Sequence, residues 1–360
     1  MSTALHLAVD ARMIAHTGIG TYLRNVLTRL VATHPDWRFH LVGDPAKLGI
    51  FAECEQVKIH PCTVPIYGIH EQLWWAKARI KADLLWVPHY NVPLAWRGRL
   101  AATVHDMAHL RLAEITASLP RRLYAKTLMH AVKTKTAGLI FVSKFTAGEF
   151  RELVGEPRAG YRIIAEGVDE EWYSPIEKTQ QSDGYVVFVG NAKQSKNLTR
   201  LLKAFARIQD QISQKLLIIG QRGGFLTGAT EVDTLATQLG ARIEFAGRVD
   251  DPALRKFVAN ADLLVMPSLY EGFGLPVVEA MACGCPVLSS SAASLPEVGG
   301  EAVIYCDPMS EDDIAAKLLA VLKDSELRAI LSRKGLARAA QFDWNKVAAE
   351  TGAYFAEICA

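Results

Sequence analysis

The sequence predicts an α/β protein built from two doubly wound parallel sheets, and two patterns in the chain lead to this prediction. Short apolar runs without strict alternation, typical of strands buried on both faces, recur along the chain and alternate with segments of helical periodicity. A polar, proline-containing stretch at residues 166–184 divides the chain into halves of similar length. Each half is therefore expected to form one domain with helices on both faces of its sheet.

The apolar runs place five strands in each half of the chain. In the first half, strands are expected at residues 5–10, 38–42, 83–87, 100–105 and 138–142. In the second half, they are expected at residues 185–189, 215–219, 242–245, 262–266 and 286–289. Asp251-Pro252 and Pro276 mark helix starts, because aspartate caps a first turn and proline fits its first position. Gly284 is expected to end the helix that begins near Pro276.

The composition limits the classes of protein to which the chain can belong. Its 360 residues are 50% hydrophobic, enough for two cores of ordinary domain size. The net charge of +2 gives no reason to expect nucleic acid as a partner. No apolar run reaches the ~18 residues of a membrane-spanning helix, and no signal peptide is expected. The six cysteines are scattered, and Cys283 with Cys285 lacks a second ligand pair for zinc, so we expect a reduced, cytoplasmic protein.

The most informative stretch of the chain joins two glutamates across a glycine-containing loop and a helix start. Glu271 is expected at the carboxyl end of a strand, and Glu279 about one turn into the next helix. The first N–H groups of a helix lack intrahelical acceptors, so helix starts often bind phosphate. Two hydroxyl-binding carboxylates beside a phosphate cradle suit a nucleotide-sugar, although a loop glutamate and a helix-surface glutamate also fit the spacing. The predicted cradle comprises Gly272, Phe273, Gly274 and Leu275.

This stretch resembles the E-x7-E element of the retaining glycosyltransferases of the GT-B fold, the large family four group. The similarity continues through residues 281–287 and 294–298, and weaker segments recur over most of the chain. The resemblance implies two Rossmann-like domains that face a central cleft. The first, at residues 1–170, binds the acceptor, and the second, at residues 171–343, binds the nucleotide-sugar donor. A helix at residues 344–360 is implied to pack back on the first domain. By family role, Glu271 binds hydroxyls of the donor sugar and Glu279 binds the ribose.

A second phosphate-binding loop is predicted after the strand at residues 185–189. Gly190 and Asn191 allow a tight turn, and Lys193 and Lys196 follow just before the next helix. A leaving diphosphate gains negative charge as the glycosidic bond breaks, so fixed cations there lower the barrier. The resemblance favours Lys196 for this contact. The family often has arginine where Asn191 stands, so one positive contact is missing or comes from Lys193; solvated lysines are the plain alternative.

Two features of the first half gain a role from the resemblance. Gly18 and Gly20 open a helix in a pattern like a dinucleotide fingerprint, but Leu23 replaces the third glycine. In the family, this loop brings its backbone to the donor phosphates. His105 ends a strand where the family frequently has a histidine near the donor sugar. It is expected to orient that sugar through its carbonyl or side chain, whereas a structural histidine is the alternative. Asp106 positions His105 or caps the next segment.

Two further segments have both a functional and a plain interpretation. Backbone groups near Arg248 and Val249 are implied to meet the nucleotide base, whereas a surface salt bridge is the alternative for Arg248. Residues 121–135 form a basic helix with an apolar face, which suits anionic lipid as well as an ordinary solvated surface. Lipid-linked acceptors are common in the family, so contact with the inner face of the membrane is kept as a prediction.

The residues and the resemblance together predict glycosyl transfer without a metal ion or other cofactor. No D-x-D triplet occurs, and neither phosphate loop carries a carboxylate cluster suited to Mg²⁺. The family retains the anomeric configuration, and the two glutamates do not fit the nucleophile and acid/base pair of a glycosidase. Front-face attack, with the departing phosphate taking the acceptor proton, follows by analogy. Catalytic roles are expected for His105, Lys196 and Glu271.

The choice of substrates rests on the same resemblance. Similarity to bacterial mannosyltransferases of polysaccharide assembly favours GDP-mannose as donor, with UDP-sugars close behind. The acceptor is expected to be a hydroxyl of a saccharide or lipid-linked saccharide. The rivals are a nucleotide-sugar epimerase on the same fold, which has no acceptor, a non-catalytic subunit that binds a nucleotide-sugar, and a polymerase like glycogen synthase.

Overall fold

In the computed structural model, which describes residues 4–112, 119–176, 184–191, 193–220 and 229–360, the chain forms two compact units. The first unit consists of Met1–Gly167 together with Trp344–Ala360, and the second of Val168–Asp343. The sequence puts the boundary after residue 170, in the same polar stretch. Residues 177–183 of that stretch lie outside the described part of the chain.

The first unit contains a sheet in which every described pairing is parallel. Its strand order is β3-β2-β1-β4-β5-β6-β7. The strand order reverses between β1 and β4, which defines a topological switch point. The strands are β1 (His6–Asp10), β2 (Arg38–Gly43), β3 (Val57–Pro61), β4 (Leu84–Val87), β5 (Arg99–Val104), β6 (Gly138–Phe141) and β7 (Tyr161–Ile163).

The second unit repeats this plan with a sheet in the order β10-β9-β8-β11-β12-β13, again with parallel pairings. Here the switch point lies between β8 and β11. The strands are β8 (Tyr185–Val189), β9 (Lys215–Ile219), β10 (Ile243–Gly247), β11 (Leu263–Met266), β12 (Val287–Ser290) and β13 (Ile304–Cys306). The two doubly wound parallel sheets confirm the predicted fold class.

Three strands have no counterpart in the prediction from sequence: β3, β7 and β13. Each is the outermost strand of its sheet, and most of its residues are only partly buried or exposed. An edge strand has one neighbour and less cover, so it does not need the continuous apolar run by which the inner strands were recognised. Edge position alone does not decide the outcome, because β10, the fourth outer strand, is also half-buried and was predicted at residues 242–245.

Helices alternate with the strands in both units. The first unit has α1 (Ile19–Thr33), α2 (Ile69–Lys77), α3 (Ala108–Arg111), α4 (Leu119–Lys135), α5 (Lys144–Leu153) and the last helix, α13 (Trp344–Cys359). The second has α6 (Leu198–Ile208), α7 (Ala229–Leu239), α8 (Asp251–Asn260), α9 (Leu275–Ala282), α10 (Leu295–Gly299), α11 (Glu311–Lys323) and α12 (Ser325–Ala339).

The last helix, α13, packs within the first unit although it follows the second in the chain. Phe355 is fully buried, with its ring centroid 5.4 Å from that of Trp86. The hydroxyl of Tyr354 donates to the carbonyl of Gly160 at 2.6 Å. Gly160 and Trp86 lie far from α13 in sequence, so the helix completes the core of a domain that was otherwise built by the first half of the chain.

Candidate active site

Lys196 and Glu271, predicted from two separate loops, form an ion pair in the second unit. Nζ of Lys196 lies 2.6 Å from Oε1 of Glu271. Lys196 ends a 3₁₀ turn after β8, and Glu271 follows β11. These strands flank the switch point of the sheet, where open α/β sheets bind their ligands. The lysine side chain is 21% exposed and the glutamate 12%, so a ligand can reach the pair.

Asn197 connects the loop that carries Lys196 to two neighbouring loops by hydrogen bonds. Its Nδ2 donates to the carbonyl of Pro267 at 2.9 Å and to that of Pro308 at 2.7 Å. The N–H of Leu269 adds a 2.7 Å bond to the carbonyl of Ser195. Asn197 adopts a left-handed conformation, with φ of 61°, which asparagine tolerates better than most residues. These bonds set the distance between the lysine and glutamate loops.

Ser294 shapes the glutamate loop from the opposite side. This fully buried side chain places Oγ 2.9 Å from the carbonyl oxygen of Glu271 and 2.8 Å from that of Phe273. Gly274 follows with φ of 113°, and a Cβ there would lie 2.6 Å from Cδ2 of Leu295. Only glycine fits this conformation and this space. The loop therefore reaches the start of α9 along a fixed path.

The helix α9 begins as the sequence predicts. Pro276 lies in its first turn, and Gly284, just beyond its end, has φ of 73°. The N–H of Val277 bonds to the carbonyl of Gly274, but the first turn of a helix leaves other donors without intrahelical acceptors. Glu279 is half-buried in the helix and makes contacts of its own. Gly272, Phe273, Gly274 and Leu275 form the loop and the helix start between these glutamates, and their role as a phosphate cradle stays a prediction.

The turn after β8 depends on a glycine that the sequence analysis missed. The N–H of Gly190 bonds to the carbonyl of Ile219 at 2.9 Å, and the N–H of Lys193 to the carbonyl of Asn191 at 2.7 Å. Gly220 has φ of 148°, and a Cβ there would lie 2.2 Å from the carbonyl oxygen of Gly190. The predicted phosphate loop therefore needs glycine on the neighbouring strand end, a close approach that has no local sequence signal.

The structure separates the alternatives for two further polar residues. Oδ1 of Asp106 accepts the N–H of Ala108 at 2.9 Å, so this aspartate caps α3. Arg248, directly after β10, is exposed and forms no salt bridge within the described part of the chain. Val249 is half-buried beside it. The role of both residues at a nucleotide base stays a prediction.

The glycines at the start of α1 meet different demands. Gly18 precedes the helix with φ of 72° and has open space where a Cβ would stand. At Gly20, a Cβ would lie 2.8 Å from the carbonyl oxygens of both Met13 and Ile14. Gly18 is thus required by its conformation and Gly20 by the close approach of the preceding loop. A phosphate contact is not needed to explain either residue, and it stays a prediction.

The ring nitrogens of His105 both have partners in the first unit. Nδ1 lies 2.8 Å from Oε1 of Glu166, and Nε2 lies 3.2 Å from the carbonyl oxygen of Pro88. Its backbone carbonyl accepts the hydroxyl of Thr146 at 3.2 Å. An oxygen atom of the protein thus faces each nitrogen of the ring. His105 is therefore firmly oriented, and an action on substrate would pass through its ring face or the second lone pair of its carbonyl.

A buried polar cluster at the carboxyl ends of β1 and β4 was missed by the sequence analysis. Arg12 donates through Nε to Asp10 at 2.8 Å, and its Nη2 pairs with Asp10 and Glu71. Nε2 of His89 lies 3.4 Å from Asp10, and the amide of Asn91 donates to Glu71. The burial of Glu71 on α2, far from Asp10 and Arg12 in the sequence, has no local signal.

The charges of this cluster are matched within the protein. Burial alone would raise the pKa of Asp10, but hydrogen bonds and charges from Arg12, then His89, hold it well below its usual range. Burial alone would lower the pKa of Arg12, but Asp10 and Glu71 raise it. The Arg12 side chain is 4% exposed and those of Asp10 and Glu71 are fully buried. The cluster is therefore a scaffold whose charged atoms a ligand does not reach.

The cysteines lie in both units, at positions 54, 62, 283, 285, 306 and 359. All six cysteines are free. Burial raises the pKa of the Cys283 thiol to about 11, and Cys285 is buried with its thiol directed at backbone carbonyls. Within the described ranges, no three His, Cys, Asp or Glu side chains are arranged to hold a metal ion. Cys283 and Cys285 act as small packing residues here.

The predicted basic helix corresponds to α4, and much of its apolar side packs against the protein core. Leu128 and Val132 are fully buried, whereas Leu123 and Lys126 are exposed. The side chain of Arg121 lies outside the described part of the structure. In the segments that are described, no helix combines the length and apolar character needed to cross a membrane. Contact of α4 with a membrane surface stays a prediction.

The two-domain architecture is that of the GT-B glycosyltransferases. The sucrose-phosphate synthase from Thermosynechococcus elongatus superimposes with a TM-score of 0.82 over 98% of this chain and 99% of that chain, at 19% identity. WaaG, a glycosyltransferase involved in lipopolysaccharide biosynthesis, gives a TM-score of 0.73 over 97% of this chain and 98% of that chain, at 16% identity. At these identities, the similarity defines the fold alone.

Sequence comparison identifies the family. The glycosyl transferases group 1 family matches residues 169–338. The O-antigen chain mannosyltransferase B of Escherichia coli is 32% identical over 293 residues, which cover 77% of this chain and 75% of that protein. The MMP alpha-(1->4)-mannosyltransferase of Mycolicibacterium hassiacum is 30% identical over 276 residues, 72% of this chain and 66% of that protein. The chain therefore belongs to the group 1 glycosyltransferases and is a glycosyltransferase, as the E-x7-E resemblance predicts.

Proposed function

We propose that this glycosyltransferase moves mannose from GDP-mannose to a hydroxyl of a saccharide or lipid-linked saccharide acceptor, with retention of the anomeric configuration. The observation that carries the donor site is the Lys196–Glu271 ion pair, 2.6 Å long and partly exposed at the switch point of the second sheet. Retention rests on the family resemblance. The cytoplasmic location expected from the cysteines belongs to the same proposal.

In this proposal, Lys196 and Glu271 bind different parts of the donor. An ammonium group has three donors, so Lys196 can keep its bond to Glu271 and still bind a diphosphate oxygen. Glu271, with its remaining acceptor sites, binds hydroxyls of the sugar, and Glu279 on α9 binds the ribose. The N–H groups at the start of α9 complete the phosphate site. The charge that develops on the leaving diphosphate then meets a fixed cation and helix dipole.

The chemical step follows from these roles. The bond from the anomeric carbon to the diphosphate oxygen breaks as a bond from that carbon to the acceptor oxygen forms on the same face. The acceptor proton passes to the departing phosphate oxygen. Lys196 supplies the positive charge for which many glycosyltransferases use a divalent ion, so the proposed transfer needs no metal or other cofactor.

The mannose assignment is supported by the relatives. The E. coli and M. hassiacum proteins are both named mannosyltransferases, and the first is named for the O-antigen chain. Synthesis of a cell-surface polysaccharide is therefore the process we propose for this protein as well. A UDP-sugar donor is the second candidate. The base is predicted to meet backbone groups near Arg248 and Val249, and such contacts leave no side-chain signal that distinguishes guanine from uracil.

A thermal-shift panel tests the donor proposal. A ligand that binds only the folded state raises the apparent stability by mass action. GDP and GDP-mannose are expected to raise the melting temperature more than UDP and UDP-glucose, with the same shifts in EDTA. Stabilisation by UDP compounds alone would contradict the mannose assignment, and shifts lost in EDTA would contradict transfer without metal. Conversion of the nucleotide-sugar without an acceptor would indicate an epimerase.

A further inference from the structure

Tyr67 in the first unit has an unusual backbone for a bulky residue. Its φ is 68°, in the left-handed region that side chains other than those of glycine and asparagine seldom adopt. It lies between β3 and α2 and is 40% exposed. A strained backbone of this kind persists only where the surrounding structure holds it, and such residues are frequent at ligand-binding sites.

The buried cluster below it holds Tyr67 in this conformation. Oε2 of Glu71 accepts the N–H of Tyr67 at 2.9 Å. Glu71 is itself fixed by Arg12 and by the amide of Asn91. Oδ1 of Asn91 accepts the hydroxyl of Tyr124 at 3.0 Å. A network of buried charges thus ends on the backbone of one exposed tyrosine.

The ring of Tyr67 rests on other aromatic side chains. His109 is stacked with it, with centroids 5.9 Å apart and planes 26° apart. Tyr90, which is buried, lies 5.7 Å from Tyr67 and 5.1 Å from His109. Tyr67 follows β3, Tyr90 follows β4 and His109 follows β5. All three therefore lie toward the carboxyl ends of parallel strands, the edge where open sheets bind ligands. The result is an aromatic cluster in which one residue, Tyr67, is 40% exposed to solvent.

We propose that Tyr67, supported by Tyr90 and His109, is the stacking platform for the saccharide acceptor. A pyranose presents a face of C–H groups that carry partial positive charge, and this face packs on the negative face of an aromatic ring. The ring is held before the ligand arrives, so binding does not need to order it. This inference rests on the proposed function, because it names the residue by which the first unit would contact the acceptor of that reaction.

Saturation-transfer NMR tests the platform with two probes, methyl α-mannopyranoside and α-1,3-mannobiose. Saturating the aromatic protons of the wild-type protein is expected to transfer magnetisation to the sugar C–H protons. Tyr67→Leu removes the ring and should weaken binding of mannobiose about threefold to tenfold, the range of an aromatic contact. Tyr67→Phe keeps the ring and should bind as the wild type does.

Tyr173 provides a matched control, because it is 39% exposed but lies in the second unit. Tyr173→Leu should leave mannobiose binding unchanged. Equal affinity of wild type and Tyr67→Leu would overturn the platform, as would absence of sugar binding to the wild type. Each variant is also tested for its thermal shift with GDP. That shift reports the proposed donor site and the fold, so its loss in the wild type would count against the proposed function and not against the platform.

Discussion

The two domains place charged residues at the same position of the same topology, but the environments differ. In the second unit, Lys196 and Glu271 flank the β8–β11 switch point and keep 21% and 12% of their side chains exposed. In the first unit, Asp10 ends β1 and Arg12 follows it at the β1–β4 switch point, but their side chains are 0% and 4% exposed. Burial therefore distinguishes a charge that can bind a ligand from one that organises the protein.

The energetic reason is desolvation. A buried charge is stable only if its partners within the protein replace water, so its bonding capacity is already used. A partly exposed pair keeps donors and acceptors that water fills until a ligand displaces it. In the first unit, we therefore expect the buried cluster to position Tyr67, which contacts the ligand. In the second unit, we expect the charged side chains to contact the ligand themselves.

Arg12→Leu should give the largest effect, and it is an effect on stability. The substitution leaves Asp10 and Glu71 as unpaired buried charges, so we expect a loss of about 3–5 kcal/mol in the free energy of unfolding. Urea denaturation of the whole protein, followed by circular dichroism, measures it. The matched control is Arg151→Leu, which breaks an exposed pair with Glu156 and should hardly change the transition. Similar transitions for both variants would refute the structural role of the cluster.

Glu271→Gln should reduce turnover and leave the fold intact. It removes the negative charge that orients the donor sugar and Lys196, and we expect kcat to fall about a hundredfold. The residue is partly exposed, so the melting temperature without ligand should change little. Steady-state kinetics with a radiolabelled donor and scanning fluorimetry measure the two quantities. A folded variant with wild-type turnover would remove Glu271 from the catalytic set.

Glu279→Ala should act on donor affinity more than on turnover. The proposed ribose contact is present in the ground state and the transition state alike, so its loss raises the donor KM roughly tenfold with little change in kcat. The same kinetic assay separates this result from that of Glu271→Gln. Equal and small effects of the two substitutions would contradict the division of roles between the glutamates.

A third set of titratable groups should give the smallest effect, a pH dependence of stability. His6, His40 and His60 lie side by side on β1, β2 and β3, with Nδ1 of His40 3.1 Å from Nε2 of His60. Burial lowers the pKa of His40 to about 4, and the charges of His60, His6 and Lys58 add to the shift.

The sign of this effect follows from proton binding. Between about pH 6.5 and pH 4, His40 is protonated in the unfolded chain but not in the folded protein. The free energy of unfolding should therefore decrease as the pH is lowered through this range. His40→Gln should flatten the decline. Melting temperatures of both proteins at pH 7.5, 6.5, 5.5 and 4.5 measure it, and parallel curves would show that His40 makes no contribution.

Local patterns were enough to predict the strands, loops and helix that carry the candidate site in the second unit. Buried strands such as β8 and β11 are continuous apolar runs, and Pro276 and Gly284 mark the ends of α9 by conformational preferences that act within a few residues. Glu271 and Glu279 lie on one loop and on the helix that follows it, so their placement also depends on local structure. The edge strands β3 and β7 were not predicted because polar residues interrupt their apolar positions, whereas β13 ends a short apolar run at residues 302–306 that the prediction overlooked.

The sequence by itself determined the class of fold, the family and the loops that carry Lys196 and Glu271, because apolar runs, helix caps and short motifs act over a few residues. Only the tertiary structure decided that these two side chains meet, since they lie 75 positions apart and β11 must pair with β8 to bring them together. It likewise decided that Glu71 is buried and that Tyr67 is strained and exposed above it. Burial and contacts between distant segments depend on strand order and packing, which no local pattern encodes.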